Sequence, residues 1–318
     1  MLRHSMYRFY RKALTLSCLL IFLSAAHAQK KDKAADAGTP ILWEKVNIAE
    51  QDLYLGPGGT AMQPDLRSIT FLGDQKSGTT EKYRIKDGSG RTWIAKIGVE
   101  AQPETAAVRL LSAIGYKTEI NYLVPNLTIP GRGSFKNVRL EARPDNVKRG
   151  KAWNWGKSPF EGSRQMQGLK IMMAFFSNWD TKNSNNDVLT VGRERRYIVS
   201  DLGATFGKTG KVGMPLFWRF GRSKNQPGHY SKGKFVTGVK KDRVSLHFNG
   251  MNRGPIRNVS VADARWLASL LTQLSERQIK DAFRAANYSA NDINTLTRAV
   301  KNRISQLDRV ADVRLAGK

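Results

Sequence analysis

An α+β protein of two lobes is the fold class this sequence predicts, and three observations carry it. Runs of β-forming residues between 68 and 142 bracket a single helical stretch, the chain after residue 160 turns mainly helical, and Pro144, Gly150, Gly156 and Pro159 cluster between the two halves. With 318 residues, 40% of them hydrophobic, the chain has a globular composition and the length for one large domain or a two-lobed one. The same figures argue against a disordered tail protein or a multi-span membrane protein.

Residues 1–28 read as a secretory leader. Arg3, Arg8, Arg11 and Lys12 form its basic start, Ala13 to Ser24 an apolar run too short to span a bilayer, and Ala26-His27-Ala28 a small-x-small site with cleavage before Gln29. The expected protein is therefore exported, periplasmic or secreted, with no transmembrane span in the mature chain. The single cysteine, Cys18, falls in the leader behind Thr15-Leu16-Ser17, a poor lipidation signal, so no disulfide, lipid anchor or thiol chemistry is expected. Residues 29–64 read as an N-terminal linker or extension, opening with Lys30, Lys31, Lys33 and Gly38-Thr39-Pro40.

The N-lobe is expected over 65–145. Ser68 to Leu72, Lys82 to Lys86 and Thr92 to Ile97 are strand-like, with a hairpin-turn composition in Asp87-Gly88-Ser89-Gly90. Pro103 to Leu111 predicts a helix with proline in its first turn, and Glu119 to Leu123 and Asn137 to Ala142 predict two further strands. The C-lobe is expected over 146–318. Ser163 to Phe176 predicts a helix burying Met166, Leu169, Ile171, Met172 and Phe175, and Asp187 to Thr190 and Tyr197 to Ser200 predict short strands. Three capping signals, Ser260 with Asp263, Ser275 with Gln278 and Ser289 with Asp292, predict helices between 260 and 310.

Lys and Arg number 53 against 26 Asp and Glu, a formal charge of +27. Such a surplus favours polyanionic partners: lipid head groups, lipopolysaccharide, phosphate-bearing polymers or nucleic acid, of which export disfavours the last. The surplus concentrates in 204–258, where twelve basic residues accompany one acid, Asp242, and the segment is poor in helix signals. Lys208, Lys211, Arg219, Arg222, Lys224, Lys232, Lys234, Lys240, Lys241 and Arg243 alternate there with Phe217, Trp218, Phe220 and Tyr230. The alternative to a binding surface is a solvated basic loop. The four histidines show no metal spacing, and Trp153 and Trp155 are expected to pack at the lobe junction.

The residues with chemistry gather in Asn178-Trp179-Asp180-Thr181-Lys182-Asn183-Ser184-Asn185 and in Tyr197-Ile198-Val199-Ser200-Asp201-Leu202-Gly203. Phosphoryl transfer needs a carboxylate near the attacking hydroxyl and oxygen ligands that hold Mg²⁺ against phosphates. Asp180 and Asn185, five apart on one loop, and Asp201 at the end of an apolar strand can supply one base and two ligands. In these segments the sequence resembles the protein-kinase-like superfamily, with its Asp-x-Lys-x-x-Asn catalytic loop and Asp-Phe-Gly metal loop. Asp180, Lys182 and Asn185 match the first, and Asp201-Leu202-Gly203 matches the second with Leu for Phe. The wording Asp-Thr-Lys-Asn-Ser-Asn looks closer to the atypical branch, the phosphoinositide lipid kinases and HipA-type kinases, than to ordinary protein kinases, and the resemblance covers roughly residues 65–205 in order of elements.

The resemblance implies a two-lobed kinase-like fold, ATP and Mg²⁺ as cofactors, and a role for each matching position. Lys96 would hold the α- and β-phosphates, paired with Glu104 or its competitor Glu100. Gly73, Ser77 and Gly78 would belong to the phosphate-covering loop, and Glu141 and Ala142 to the hinge beside the adenine. Asp180, with Lys182 beside it, would serve the acceptor hydroxyl, and Asn185 and Asp201 would bind metal. Two features depart from the family: Asn178 and Trp179 stand where His or Tyr and then Arg are usual, and no Gly-x-Gly-x-x-Gly or Walker A spacing is present. Singly, each residue also has a structural reading, Asp180 and Asn185 as loop caps, Lys96 as a snorkelling side chain and Glu104 as a helix-start carboxylate. ATP is scarce outside the cytoplasm, so the alternative to an exported phosphotransferase is a kinase-like module that binds anionic envelope lipids or polymers without turnover. A relative of antibiotic phosphotransferases would call for an acidic acceptor pocket, which the lone Asp242 does not favour.

Overall fold

The structure, a computed structural model, describes residues 38–75, 80–210, 221–257 and 259–310. The leader, Ser77, Gly78, Lys211, Phe217, Trp218, Arg219 and Phe220 lie outside the described residues. The chain enters with strand β1 (Thr39–Ile41) and then builds the first lobe from β2 (Thr70–Asp74), β3 (Lys82–Lys86), β4 (Thr92–Lys96), helix α1 (Ala101–Ala113), β5 (Asn121–Ile129) and β6 (Gly133–Ala142). These strands form one antiparallel sheet in the order β2-β3-β4-β6-β5, and α1 packs against β5 and β6. The expected turn closes β3 onto β4: Asp87 accepts from Ser89 N and Arg91 N and from Trp93 Nε1 at 2.9 Å.

Strand alternation divides this sheet into two unlike faces. Ile85, Trp93, Ala95, Tyr122, Val138 and Leu140 form a buried apolar cluster on one face. The other face carries Lys82, Lys96 and Arg139 abreast on β3, β4 and β6, and beside them Arg84, Ile94 and Glu141. That second face looks into the cleft.

The second lobe holds β7 (Val147–Arg149), α2 (Arg164–Phe175), β8 (Asn186–Val191), β9 (Glu194–Val199), α3 (Pro227–Ser231), β10 (Val236–Lys240), β11 (Arg243–Leu246), α4 (Arg253–Arg257), β12 (Val259–Ser260), α5 (Val261–Leu271), α6 (Glu276–Ala285) and α7 (Ala290–Arg309). Its four-stranded sheet runs β1-β9-β8-β7, with β1 parallel to β9. Ser163, Ser260, Ser275 and Ser289 cap α2, α5, α6 and α7 by accepting a backbone N–H three residues on, and Ser275 with Gln278 completes a reciprocal capping box. The five apolar residues expected on α2 are all buried. The α+β class expected from the sequence is the one observed.

Two segments carry more order than their local signals. From Gly38 the segment read as a linker or extension is packed: Leu42, Ile48 and Leu53 are buried, and Tyr122 Oη donates to Gly59 O at 2.6 Å. Isolated apolar residues between polar ones gave no period by which to place it. The 204–258 segment, poor in helix signals, contains the short α3 and α4 besides the β10–β11 hairpin. Trp153 and Trp155 are buried edge to face with ring centroids 4.8 Å apart, and Trp153 Nε1 donates to Ile198 O, which places the pair in the second lobe. Among the described residues no helix is long and apolar enough to cross a membrane.

Candidate active site

Lys96 ends β4 with its side chain turned into the cleft and only 3% exposed. A buried ammonium needs anionic partners, and three converge on it: Glu100 Oε2 at 2.8 Å, Glu104 Oε2 at 2.9 Å and Asp201 Oδ1 at 3.5 Å. The choice between Glu100 and Glu104 is thus not exclusive. Burial works against the charge on Lys96, but Glu104, Asp201 and Glu100 outweigh it and hold the ammonium protonated well above the ordinary lysine range. Glu100 also resists burial; Lys96 and Lys224 bring it down to about 2. Burial pushes the Glu104 carboxyl up, against the pull of Arg139 and Lys96, one on each oxygen.

Arg139 is the residue the sequence reasoning missed at this point. It lies opposite Lys96 on β6, and its Nη2 donates to Glu104 Oε1 at 2.7 Å. The signal was available only through strand register, because Arg139 and Lys96 are far apart in sequence.

The loop after α2 carries Asp180. Arg303 of α7 steadies the end of that helix, donating to Phe175 O at 2.6 Å and Ser177 Oγ at 3.0 Å while lying 3.9 Å over the Tyr230 ring. Ser177 then takes a left-handed backbone (φ 56°), and the fully buried Asn178 accepts the Asp180 N–H on its side-chain oxygen. Asn178 therefore positions Asp180, and the adjacent Trp179 is tied by its Nε1 to Ser223 O at 3.1 Å. Asn185 Nδ2 donates to the Asp180 backbone oxygen at 2.6 Å and to its Oδ2 at 3.2 Å. Lys182 Nζ lies 2.9 Å from Asp180 Oδ1.

Asp201 is joined to that loop through the backbone, its N–H donating to Asn185 O at 3.3 Å. Asp201 Oδ1 accepts from Gly203 N at 3.0 Å and faces Lys96. Asp180, Asn185, Asp201, Lys96 and Glu104 thus form one connected chain of contacts. Gly203 is needed for a reason the sequence did not show: a methyl there would lie 2.7 Å from Glu100 Cβ.

The metal fit can be tested on these donors. With its amide nitrogen spent on Asp180, Asn185 keeps its Oδ1 without a partner among the described residues, and the Asp201 side chain is 37% exposed. One amide oxygen and one carboxylate suit Mg²⁺, which takes its remaining ligands from phosphates and water. Among the described residues no three His, Cys, Asp or Glu side chains make a metal site by themselves.

The other expected site residues are less straightforward. Gly73 sits at a bulge of β2 with open space where a side chain would go, and Gln75 after it lines the cleft. Ala142 N–H is spent on Ile120 O at 2.9 Å, so it is not free for an adenine edge. Glu141 is buried and engaged by Arg139 Nη1 at 2.9 Å and by Arg143 and Arg149, and it lines the cavity beside Lys96. Sequence reasoning placed Arg143 only beside the hinge pair and Lys224 only in the basic segment, and gave Arg149, Lys82 and Asp187 no role; all five line the site or hold its carboxylates.

No protein-family model matches the chain, and no curated protein matches it. Among solved structures it is similar to the crystal structure of the Helicobacter pylori proinflammatory kinase CtkA, with 10% identity and a TM-score of 0.49 over 79% of this chain and 98% of that one. It is also similar to the crystal structure of the Golgi casein kinase, with 8% identity and a TM-score of 0.38 over 84% and 77%.

Proposed function

We propose that this protein is an exported, Mg²⁺-dependent phosphotransferase of the atypical kinase-like class that uses ATP and acts on an anionic acceptor. The supporting observation is the buried Lys96 held among Glu100, Glu104 and Asp201, with Asp201 hydrogen-bonded to the loop that presents Asp180 and Asn185. In this reading Lys96 contacts the donor phosphates, and Glu104, fixed by Arg139, positions it. Asn185 Oδ1 and Asp201 hold the metal, which supplies charge neutralisation at the transferred group. Asp180 orients the acceptor hydroxyl and takes its proton, and Lys182 balances the charge nearby. The exposed basic residues Lys208, Lys232 and Lys234 favour an acceptor of opposite charge. Export rests on the leader at residues 1–28.

The test is a thermal-shift titration of the mature chain with ATP at fixed Mg²⁺, beside Asp201→Ala, followed by a phosphate-release assay. Metal-dependent stabilisation that the variant loses is the expected result. Equal shifts for both proteins would remove Asp201 from the metal site.

A second reading is favoured by the basic hairpin, where Lys240, Lys241 and Arg243 are exposed, together with Asn178 and Trp179 in the usual His-Arg positions. It is a kinase-like module that docks on anionic envelope lipid or polymer without turnover. Salt-sensitive vesicle binding that survives Asp180→Ala and fails on neutralising the hairpin would select it.

A further inference from the structure

The cleft is divided in two. A cavity of about 290 Å³ contains Lys96, Glu104, Arg139 and Asp201, and a second of about 380 Å³ has a mixed lining in which Ile120, Ala142, Pro144 and Leu189 meet Arg84 and Arg196. Arg143 and Arg149 line both, so they form the partition. Arg149 is in β7, opposite Leu189 of β8, and its backbone therefore belongs to the second lobe. Its guanidinium crosses to the first lobe, where Nη2 donates to Glu119 Oε1 at 2.6 Å and to Glu141. Nη1 stays behind on Asp187 Oδ2 at 2.8 Å.

We infer that Arg149 is an interlobe latch, closed across the cleft without ligand and displaced by any ligand that reaches from Lys96 to the Ala142 side. Its partners make release feasible. Glu141 remains held by Arg139 Nη1 at 2.9 Å and by Arg143, and Glu119 keeps Arg139 Nη2 at 3.4 Å. Opening the latch therefore strands no buried carboxylate without a cation, the situation that makes broken buried ion pairs costly. Arg149 itself is 29% exposed and can swing into water, whereas Arg139 is 2% exposed and cannot. Arg149 has its hydrogen bonds and ion pairs on Asp187, Glu119 and Glu141 rather than on Glu104 or Lys96, so the phosphate side stays assembled when it leaves. The ligand half of the inference rests on the nucleotide reading above; the latch itself does not.

Two measurements on the mature chain separate them, each made on wild type, Arg149→Met and Glu119→Met. The second variant removes the oxygen to which Arg149 Nη2 donates while leaving Arg149 on Glu141, which guards against a variant that simply fails to fold. Without nucleotide, hydrogen exchange of the 143–150 amides is expected to speed up about tenfold in both variants, as a local opening made easier. Unchanged exchange overturns the latch whether or not ATP binds. With Mg²⁺ and ATP, a cleft open in about one molecule in ten gains about tenfold in apparent affinity when the latch is removed. Equal or weaker ATP binding by Arg149→Met overturns the gating and makes Arg149 a bystander or a ligand contact. If none of the three proteins binds ATP, the nucleotide reading fails, and the exchange result decides the latch alone.

Discussion

A methyl group on Gly203 would meet Glu100 Cβ at 2.7 Å and Cγ at 3.0 Å, and Glu100 is the carboxylate shared by Lys96 and Lys224. Gly203→Ala is therefore expected to displace Glu100, cost about 1–3 kcal/mol in overpacking, and weaken ATP-dependent stabilisation beyond that loss. Denaturant melts with and without nucleotide check both parts; a variant as stable as wild type with full nucleotide response would show that Glu100 has room to move. Glu119 offers a pH-dependent counterpart. Burial and the Glu141 charge push its carboxyl up from 4.5 to about 8. The folded state then binds more protons than the unfolded one between these values, so Glu119 favours folding below about pH 4.5 and that contribution is lost as pH rises through 8. Glu119→Gln has no such proton to lose and should gain on wild type by about 1 kcal/mol or more between pH 5 and pH 8.5. A constant difference across that range would mean that the arginines keep Glu119 ionised throughout.

Arg303 ties two helices together beside the loop that carries Asp180. A cation at the end of α2 satisfies carbonyls that have no intrahelical partner, and Arg303 reaches Phe175 O at 2.6 Å from α7 while fully buried. Arg303→Met is expected to cost about 1–3 kcal/mol, since it takes the donor from Ser177 Oγ and one of two donors from Phe175 O and Tyr230 O, which keep Tyr230 Oη and Gly233 N. Thermal melts measure it, and a loss under about 1 kcal/mol would mean water replaces the guanidinium. Elements of this kind divide by how local their cause is. The hairpin turn at Asp87 and the caps at Ser260, Ser275 and Ser289 are written in residues within a few positions of one another, and the sequence revealed them. Lys96, Asp180, Asn185 and Asp201 were legible because each sits at a strand end or loop that local pattern defines. Arg139, Arg149 and Arg303 were not, because their partners are set by strand register or by helices far along the chain.

At the scale of the molecule, residues 39–66 act as a strap over both lobes. β1 joins the edge of the second-lobe sheet beside β9, and Trp43 then donates to Ile114 O at 2.7 Å while its ring meets Trp266 of α5 at 5.5 Å. Gln278 of α6 holds Ile48 O at 2.7 Å and Gln51 O at 3.0 Å. Further on, Gly59 O receives Tyr122 Oη on the apolar face of the first sheet, and Asp65 N reaches Asp87 Oδ2 at 3.1 Å. The strap thus contacts a strand, two helices and the far side of the other sheet, and every such contact is lost when it leaves. Shared structure of this sort makes lobes unfold together, because neither can lose the strap without exposing Leu42, Ile48 or Leu53. A chain of residues 29–318 should therefore unfold in one transition by fluorescence and by far-ultraviolet circular dichroism. A chain lacking residues 29–66 should melt earlier and in two separated steps, the first lobe first, since its sheet then exposes the face around Trp93 and Tyr122. A single transition at the full-length midpoint would show that the lobes are coupled through the cleft instead, with Arg149 and its carboxylates as the residues to examine next.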